Sequence, residues 1–199
     1  ERFVITIDIS FPRNESRLDQ ALTIILACSI IISLIVLVYV IVIPKTGEQF
    51  TEFYLLGPEG IADNYPRDIV IDEPINVIVG IVNHEYKPMN YTIELWLINQ
   101  TFTYNESSKS NETVYHEMWF LDSIQTTLNH TPIDIEGPWE PQWEYNWMFS
   151  VDKKGEYKLC FLLTTDTFNE YDPMINYADI AYEKLRDSYR STHLWVHVT

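Results

Sequence analysis

The feature that most constrains this chain is the stretch Ala21 to Ile43, ALTIILACSIIISLIVLVYVIVI. It is twenty-three residues without a charge, followed at once by Pro44 and Lys45. As a helix rising about 1.5 Å per residue it reaches about 34 Å, enough to cross a hydrocarbon core of about 30 Å with some tilt. Buried helices of water-soluble domains seldom need that length, so the stretch is read as a single transmembrane helix. It divides the chain into a head, residues 1–20, the span, 21–43, and a domain, 44–199, long enough to bury its own core. A signal peptide is the competing reading. Against it, the run is too long for a typical h-region, and no small-x-small cleavage pattern follows.

Charge is distributed unevenly about the span. The head holds Arg2, Arg13 and Arg17 against four acids; of the 13 basic and 29 acidic groups in the chain, ten and 25 therefore lie beyond residue 43, a net of -15. A domain that acidic repels nucleic-acid phosphates and anionic headgroups, so a nucleic-acid partner is not expected. Three arginines precede the span and Lys45 alone follows closely. Basic residues are retained on the cytoplasmic side, which puts the head inside and the acidic domain outside the cell. Cys28 lies in the span and Cys160 in a strand candidate, so no internal disulfide is expected.

Asn-x-Ser/Thr triplets support the same orientation. They occur at Asn90, Asn99, Asn105, Asn111 and Asn129, with a sixth at Asn14 in the head. Chance gives about one or two in such a composition, and N-glycan transfer takes place only on the outer side. The five clustered asparagines are therefore expected to carry covalent N-glycans, and Asn14 to stay bare.

Beyond Lys45 the texture becomes short alternating runs separated by Gly, Pro, Asn and Asp, the pattern of an all-β sandwich. Strands are expected over 50–56, 68–71, 75–83, 91–97, 114–121, 143–151, 157–163 and 192–198. Residues 101–111 read as an exposed loop or hairpin tip. Asp172-Pro173 is a good N-cap and first helical position, and the apolar spacing of Ala178, Ala181, Leu185 and Tyr189 predicts a helix inserted before the last strand.

Six tryptophans raise the question of a sugar-stacking surface. Trp143 and Trp147 share a strand face with Phe149 and Val151, the pattern of a sandwich core. Trp119 and Trp139 are the aromatics expected to be exposed and available for contacts. His193 and His197 are four apart on a strand, a span of about 13 Å, too far for one metal ion. The acidic run Asp166, Glu170, Asp172 lacks the ordered alternation and central Gly of a calcium loop. No nucleophile elbow or phosphate-cradling Gly loop is present, so no catalytic residue, metal site or cofactor is assigned and an enzyme is not expected.

Three segments carry a family resemblance. They are LDQALTIILACSIIISLIVLVYVIVIPKTGEQFTEFYLLGPEGIADNYP, then VIVGIVNHEYKPMNYTIELWL, and the ending YRSTHLWVHV. Together they resemble the C-terminal part of a family of uncharacterised archaeal membrane proteins, domain of unknown function family 1616. In that family a multi-pass region ends in a last transmembrane helix followed by an outer β-sandwich domain. TEFYLLGPEG and GIVNHEY are the most specific segments. This chain differs in having one span and an apparent insertion around residues 165–188, which leaves open whether it is a shortened relative or the tail of a longer product. The resemblance implies an archaeal envelope location and transfers no catalytic residue.

The expectation is an Ig-like antiparallel β-sandwich of about seven or eight strands with one inserted α-helix, anchored by one transmembrane helix. Its expected role is a surface glycoprotein, a structural or interaction subunit with a protein partner in the membrane or envelope. Small residues Ala27, Ser29 and Ser33 permit close approach of a partner helix. The alternative is a binding module for surface polysaccharide or glycan precursors, which exposed Trp119 or Trp139 in a groove near acidic and amide side chains would favour.

Overall fold

The structure is a computed structural model describing residues 17–42, 48–107, 109–133, 137–165 and 167–199. It divides into two units, Glu1–Gly47 and Glu48–Thr199. The described part of the first is one helix, α1 (Arg17–Val42), of 26 residues. It begins four residues before the uncharged run, with Asp19 in the first turn, where its charge complements the helix dipole. Thr23 Oγ1 donates to Asp19 O at 2.9 Å and Ser29 Oγ to Leu26 O at 2.8 Å, so these two hydroxyls are satisfied within the helix. No residue of α1 is buried, and the helix is long and apolar enough to cross a membrane. Asn14 and the head up to Ser16 lie outside the described residues.

The second unit contains β1 (Thr51–Leu56), β2 (Asp68–Ile69), β3 (Ile75–Asn83), β4 (Met89–Asn105), β5 (Ser110–Leu128), β6 (Trp143–Phe149), β7 (Gly155–Thr165), α2 (Ala181–Asp187) and β8 (Arg190–Val198). They form a three-stranded sheet, β1-β3-β6, and a five-stranded sheet, β2-β8-β7-β4-β5. All neighbours are antiparallel except β2, which runs parallel to β8. One sheet thus joins first, third and sixth strands, the other joins the last two to the fourth, and the remaining pair flanks them. That is the strand adjacency of an Ig-like sandwich. Another mark of that fold is present: Tyr157 near the start of β7 donates its hydroxyl back to Lys154 O at 3.3 Å, a tyrosine corner.

The core follows from period-two alternation. Val77, Val79 and Ile81 of β3 meet Tyr91, Ile93, Leu95 and Leu97 of β4 and Leu159, Phe161 and Leu163 of β7 between the sheets. Trp147 joins them, 1 % exposed, with its ring Nε1 donating to Asp122 Oδ2 at 2.9 Å. Trp143 is half-buried at the margin of the same core.

One expectation is narrowed and another corrected. Residues 101–111 continue β4 and β5 as a two-stranded ribbon, paired from Thr101↔Val114 to Asn105↔Ser110. Thr101, Phe102, Thr103 and Tyr104 favour the extended backbone, so the hairpin-tip alternative holds and the loop alternative does not: the arms stay paired up to Asn105 and Ser110. Two bulges leave Leu121 and His116 of β5 outside the register of β4.

The inserted helix is shorter than predicted. Asp172 does not cap it; its Oδ1 accepts from Met174 N at 2.9 Å and closes a turn. Asn176 then forms a bridge with Trp119, its Oδ1 accepts from Met118 N at 2.9 Å, and Tyr177 N donates to Met118 O at 2.8 Å. Backbone committed to β5 cannot also be helical, so a 3-10 turn begins only at Ala178 and α2 at Ala181.

This insertion roofs the outer face of the five-stranded sheet. Trp96, Ile98, Met118, Cys160, Leu162 and Ala181 make a second, smaller core beneath it. Glu94, 1 % exposed, lies in that layer with Lys184 Nζ at 2.7 Å from Oε2 and Trp96 Nε1 donating to Oε2 at 2.9 Å. Lys184 Nζ also donates to Tyr171 OH at 2.6 Å.

Candidate functional site

The outer face of the three-stranded sheet is covered differently, and there the candidate site is found. Tyr54 of β1 faces Gly80 of β3, which in turn faces Glu144 of β6. A Cβ on residue 80 would lie 2.0 Å from Tyr54 Cζ. Only glycine therefore lets the phenol ring lie flat across β3, where its hydroxyl donates to Glu144 Oε1 at 3.1 Å. Burial, then the Glu144 carboxylate, push the Tyr54 phenol well above its ordinary value.

Trp139, on the connection between β5 and β6, stands with its ring edge-on to Tyr54 at 5.4 Å. Its Nε1 donates to Glu52 Oε2 at 3.3 Å. Glu52 Oε1 is 3.0 Å from Nε2 of His84, and Nδ1 of the same ring is 2.6 Å from Thr131 O. A carbonyl only accepts, so Nδ1 donates and Nε2 is turned toward the carboxylate. His84 is 5 % exposed and packs against Phe50 at 4.7 Å, which fixes Glu52 from below.

Of these side chains, Glu52, His84 and Trp139 border a groove of about 310 Å³. Buried Val82 and His84 form its floor, Ile133 and Trp139 its walls, and Glu52 and Glu140 its rim. Trp139 is 58 % exposed, so a broad indole surface is open to solvent.

The other singled-out residues are placed as follows. Trp119 is half-buried against the sandwich core, Lys153 Nζ covers its ring at 4.3 Å, and its Nε1 donates to Glu117 Oε2 at 3.4 Å. It offers no open stacking face. Asn90, Asn111 and Asn129 are exposed. Asn99 and Asn105 are half-buried, their amide Nδ2 donating to Glu156 O at 3.2 Å and Glu112 Oε1 at 2.6 Å. His193 and His197 both lie on β8, and His197 Nδ1 meets Glu156 Oε1 at 2.5 Å. Asp166 lies outside the described residues. Among the described residues no three His, Cys, Asp or Glu gather as metal ligands.

Sequence reasoning found Trp139 but not Glu52, Tyr54 or His84. The signal was present: the two most distinctive segments, TEFYLLGPEG and GIVNHEY, contribute Glu52 and Tyr54 from one and Gly80, Val82 and His84 from the other.

The match to known families falls on this domain. Residues 44–197 match the family described as Domain of unknown function (DUF1616). The chain belongs to DUF1616. A comparison with curated protein sequences finds no match. Among solved structures, this DUF1616 chain is similar to the CARDB domain of the PF1109 protein from Pyrococcus furiosus, crystallised in complex with di-metal ions. The identity is 11 %, with 79 % of this chain and 98 % of that one covered and a TM-score of 0.35. A β-glucosidase from Listeria innocua is 12 % identical over 76 % of this chain, with a TM-score of 0.37. The sporulation control protein Spo0M of Bacillus subtilis is 9 % identical over 76 %, with a TM-score of 0.34. The matched region spans only 16 % of the β-glucosidase and 49 % of Spo0M. At these scores the likenesses carry no chemistry to the DUF1616 domain.

Proposed function

We propose that this DUF1616 chain is a membrane-anchored surface glycoprotein whose β-sandwich domain acts as an interaction module and not as an enzyme. In this reading α1 crosses the cell membrane of an archaeal cell, residues 1–20 lie in the cytoplasm, and residues 44–199 stand outside. The observation that carries it is α1 itself, a 26-residue apolar helix on which no residue is buried by protein. Such a surface is stable in hydrocarbon and a liability in water. The acidic charge of the domain, the arginine bias of the head and three exposed sequons support the outward orientation. The thiol of Cys160, pushed up to about 12 by burial, is inert and suits a structural role. A protein partner in the membrane has a place to dock on α1, where Ser29 and Ser33 lie on one face four residues apart.

Protease treatment of intact cells tests the orientation. The expected outcome is loss of the domain, with a membrane-protected fragment containing residues 1–43. Protection of the domain together with loss of the head overturns it.

A further inference from the structure

We propose that the Trp139 groove is a binding subsite for a neutral sugar ring of a saccharide. The inference goes beyond the surface reading, because the groove has the same chemistry whichever side of a membrane it faces.

Three observations converge on a hydroxyl-rich, uncharged ligand. The first is the open indole. Trp139 is 58 % exposed, yet held by the Tyr54 ring edge and by its Nε1 bond to Glu52, so its free face is oriented before any ligand arrives. The C–H face of a pyranose is apolar and flat enough to lie on such a ring, and a fixed ring loses little entropy on contact.

The second is the character of the rim. Glu52 and Glu140 present carboxylates, and ionised carboxylates only accept. Nε1 of Trp139, a donor, is already committed to Glu52. A ligand matched to this rim supplies donors, as the hydroxyls of a sugar do. A proline-rich peptide also seeks aromatic grooves, but it brings carbonyl acceptors and needs donors from the wall. Phosphates, sulfates and uronic acids bring negative charge to a rim that already holds Glu52 and Glu140, on a domain whose net charge is -15.

The third is preorganisation. Glu52 is positioned by His84, whose ring is buried with Nδ1 donating to Thr131 O and Nε2 lying 3.0 Å from Glu52 Oε1, and the floor is Val82 of β3 and His84 just past it. The groove of about 310 Å³ lies at the small end of ligand sites, which fits one ring of a longer chain.

The test uses the full chain, made in a host without N-glycosylation and purified in a detergent that carries no sugar headgroup. Tryptophan fluorescence and saturation-transfer NMR are followed while maltohexaose, mannohexaose, cellohexaose or tetra-N-acetylchitotetraose is titrated, with polygalacturonate as the acidic probe and a proline-rich peptide as the rival. At least one neutral saccharide is expected to bind and polygalacturonate is not. Trp139→Ala is expected to weaken binding about tenfold or more, the equivalent of ~1.4 kcal/mol. Glu52→Gln is expected to weaken it several-fold while the variant still unfolds cooperatively. Tyr104→Ala, on the exposed ribbon, is expected to leave binding as it is. Absence of binding by every neutral probe overturns the proposal. So does undiminished affinity in a folded Trp139→Ala protein, tighter binding of polygalacturonate, or capture of the peptide in place of the saccharides. Because the protein is purified, these results do not depend on its orientation in the cell, which the protease experiment reads separately.

Discussion

Replacing Lys184 with methionine gives the sharpest test of how the insertion is held on the sheet. Lys184 Nζ is 2.7 Å from Oε2 and 2.8 Å from Oε1 of Glu94, and the two side chains are 12 % and 2 % exposed. Methionine keeps the length of the side chain and removes the charge. Glu94 then keeps one donor, Trp96 Nε1, and no cation, at a position water scarcely reaches. Breaking one side of a buried pair costs about 3–5 kcal/mol, whereas removing both charges is often close to neutral. For a domain of this size about 1 kcal/mol shifts the melting temperature by about 2–4 °C, so Lys184→Met is expected to lower it by about 6–20 °C. The double change Glu94→Gln, Lys184→Met is expected to recover most of that loss, because glutamine still accepts from Trp96. Thermal unfolding of the detergent-solubilised chain, followed by circular dichroism of the β signal, supplies all corners of the cycle. A Lys184→Met shift under about 2 °C, or a double variant as unstable as the sum of the singles, refutes the reasoning: the carboxylate would not be trapped and charged beneath α2.

Further outcomes follow from single contacts. Gly80→Ala is expected to displace the Tyr54 ring, whose Cζ lies 2.0 Å from the new Cβ, and to raise the exposure of Trp139 to a fluorescence quencher; an unchanged quenching constant refutes the stacking over glycine. Tyr157→Phe is expected to cost about 0.5–1.5 kcal/mol, the net worth of one hydrogen bond, in the same melting assay. Burial raises the phenols of Tyr157 and Tyr189, and that of Tyr91 to about 12, so their neutral forms are favoured in the fold. The Tyr91 contribution is complete below the unfolded value of about 10 and is lost as pH rises from there through about 12, and the other two act in the same direction, so stability is expected to hold to about pH 10 and then fall. In a glycosylating host, peptide mass spectrometry is expected to find Asn90, Asn111 and Asn129 occupied before Asn99, whose amide is bonded to Glu156 O.

How much of this was legible beforehand divides along physical lines. The apolar helix and the inner faces of β3, β4 and β7 were readable because burial on one face writes a period into the sequence. The insertion was misjudged because its apolar stripe was real while its backbone bonds went elsewhere. Asn176 and Tyr177 pair with Met118, some 58 residues away for Asn176, and no local signal announces a bridge of that range. The outer residues of β4 were silent for a related reason. Glu94, Trp96 and Ile98 look like the solvent side of a strand until a third layer covers them. Trp139 could be nominated from its turn-rich surroundings, but Glu52, Tyr54 and His84 lie on regular strands or just past them, where polar and aromatic residues usually mark an ordinary outer face.

That difference between the two outer faces bears on where a ligand can dock. On the five-stranded sheet α2 and its lead-in close over Trp96 and Ile98, and the resulting layer is sealed by the Glu94–Lys184 pair. On the three-stranded sheet, among the described residues, Thr131 to Ile133 and Pro138 to Glu140 border the face and leave the groove beside Trp139. Rigid strands beneath a crossing loop are the usual way a scaffold fixes polar groups while keeping them accessible. Here the glycine at position 80 is the hinge of that logic: without it Tyr54 could not lie flat, and Trp139 would lose the edge contact that, together with its Nε1 bond to Glu52, sets the angle of the indole. A glycine in the middle of a buried central strand weakens the sheet by about 0.5–1 kcal/mol relative to alanine. Its presence opposite an aromatic that reaches a carboxylate two strands away is accounted for by the geometry of the groove and not by the stability of the sandwich.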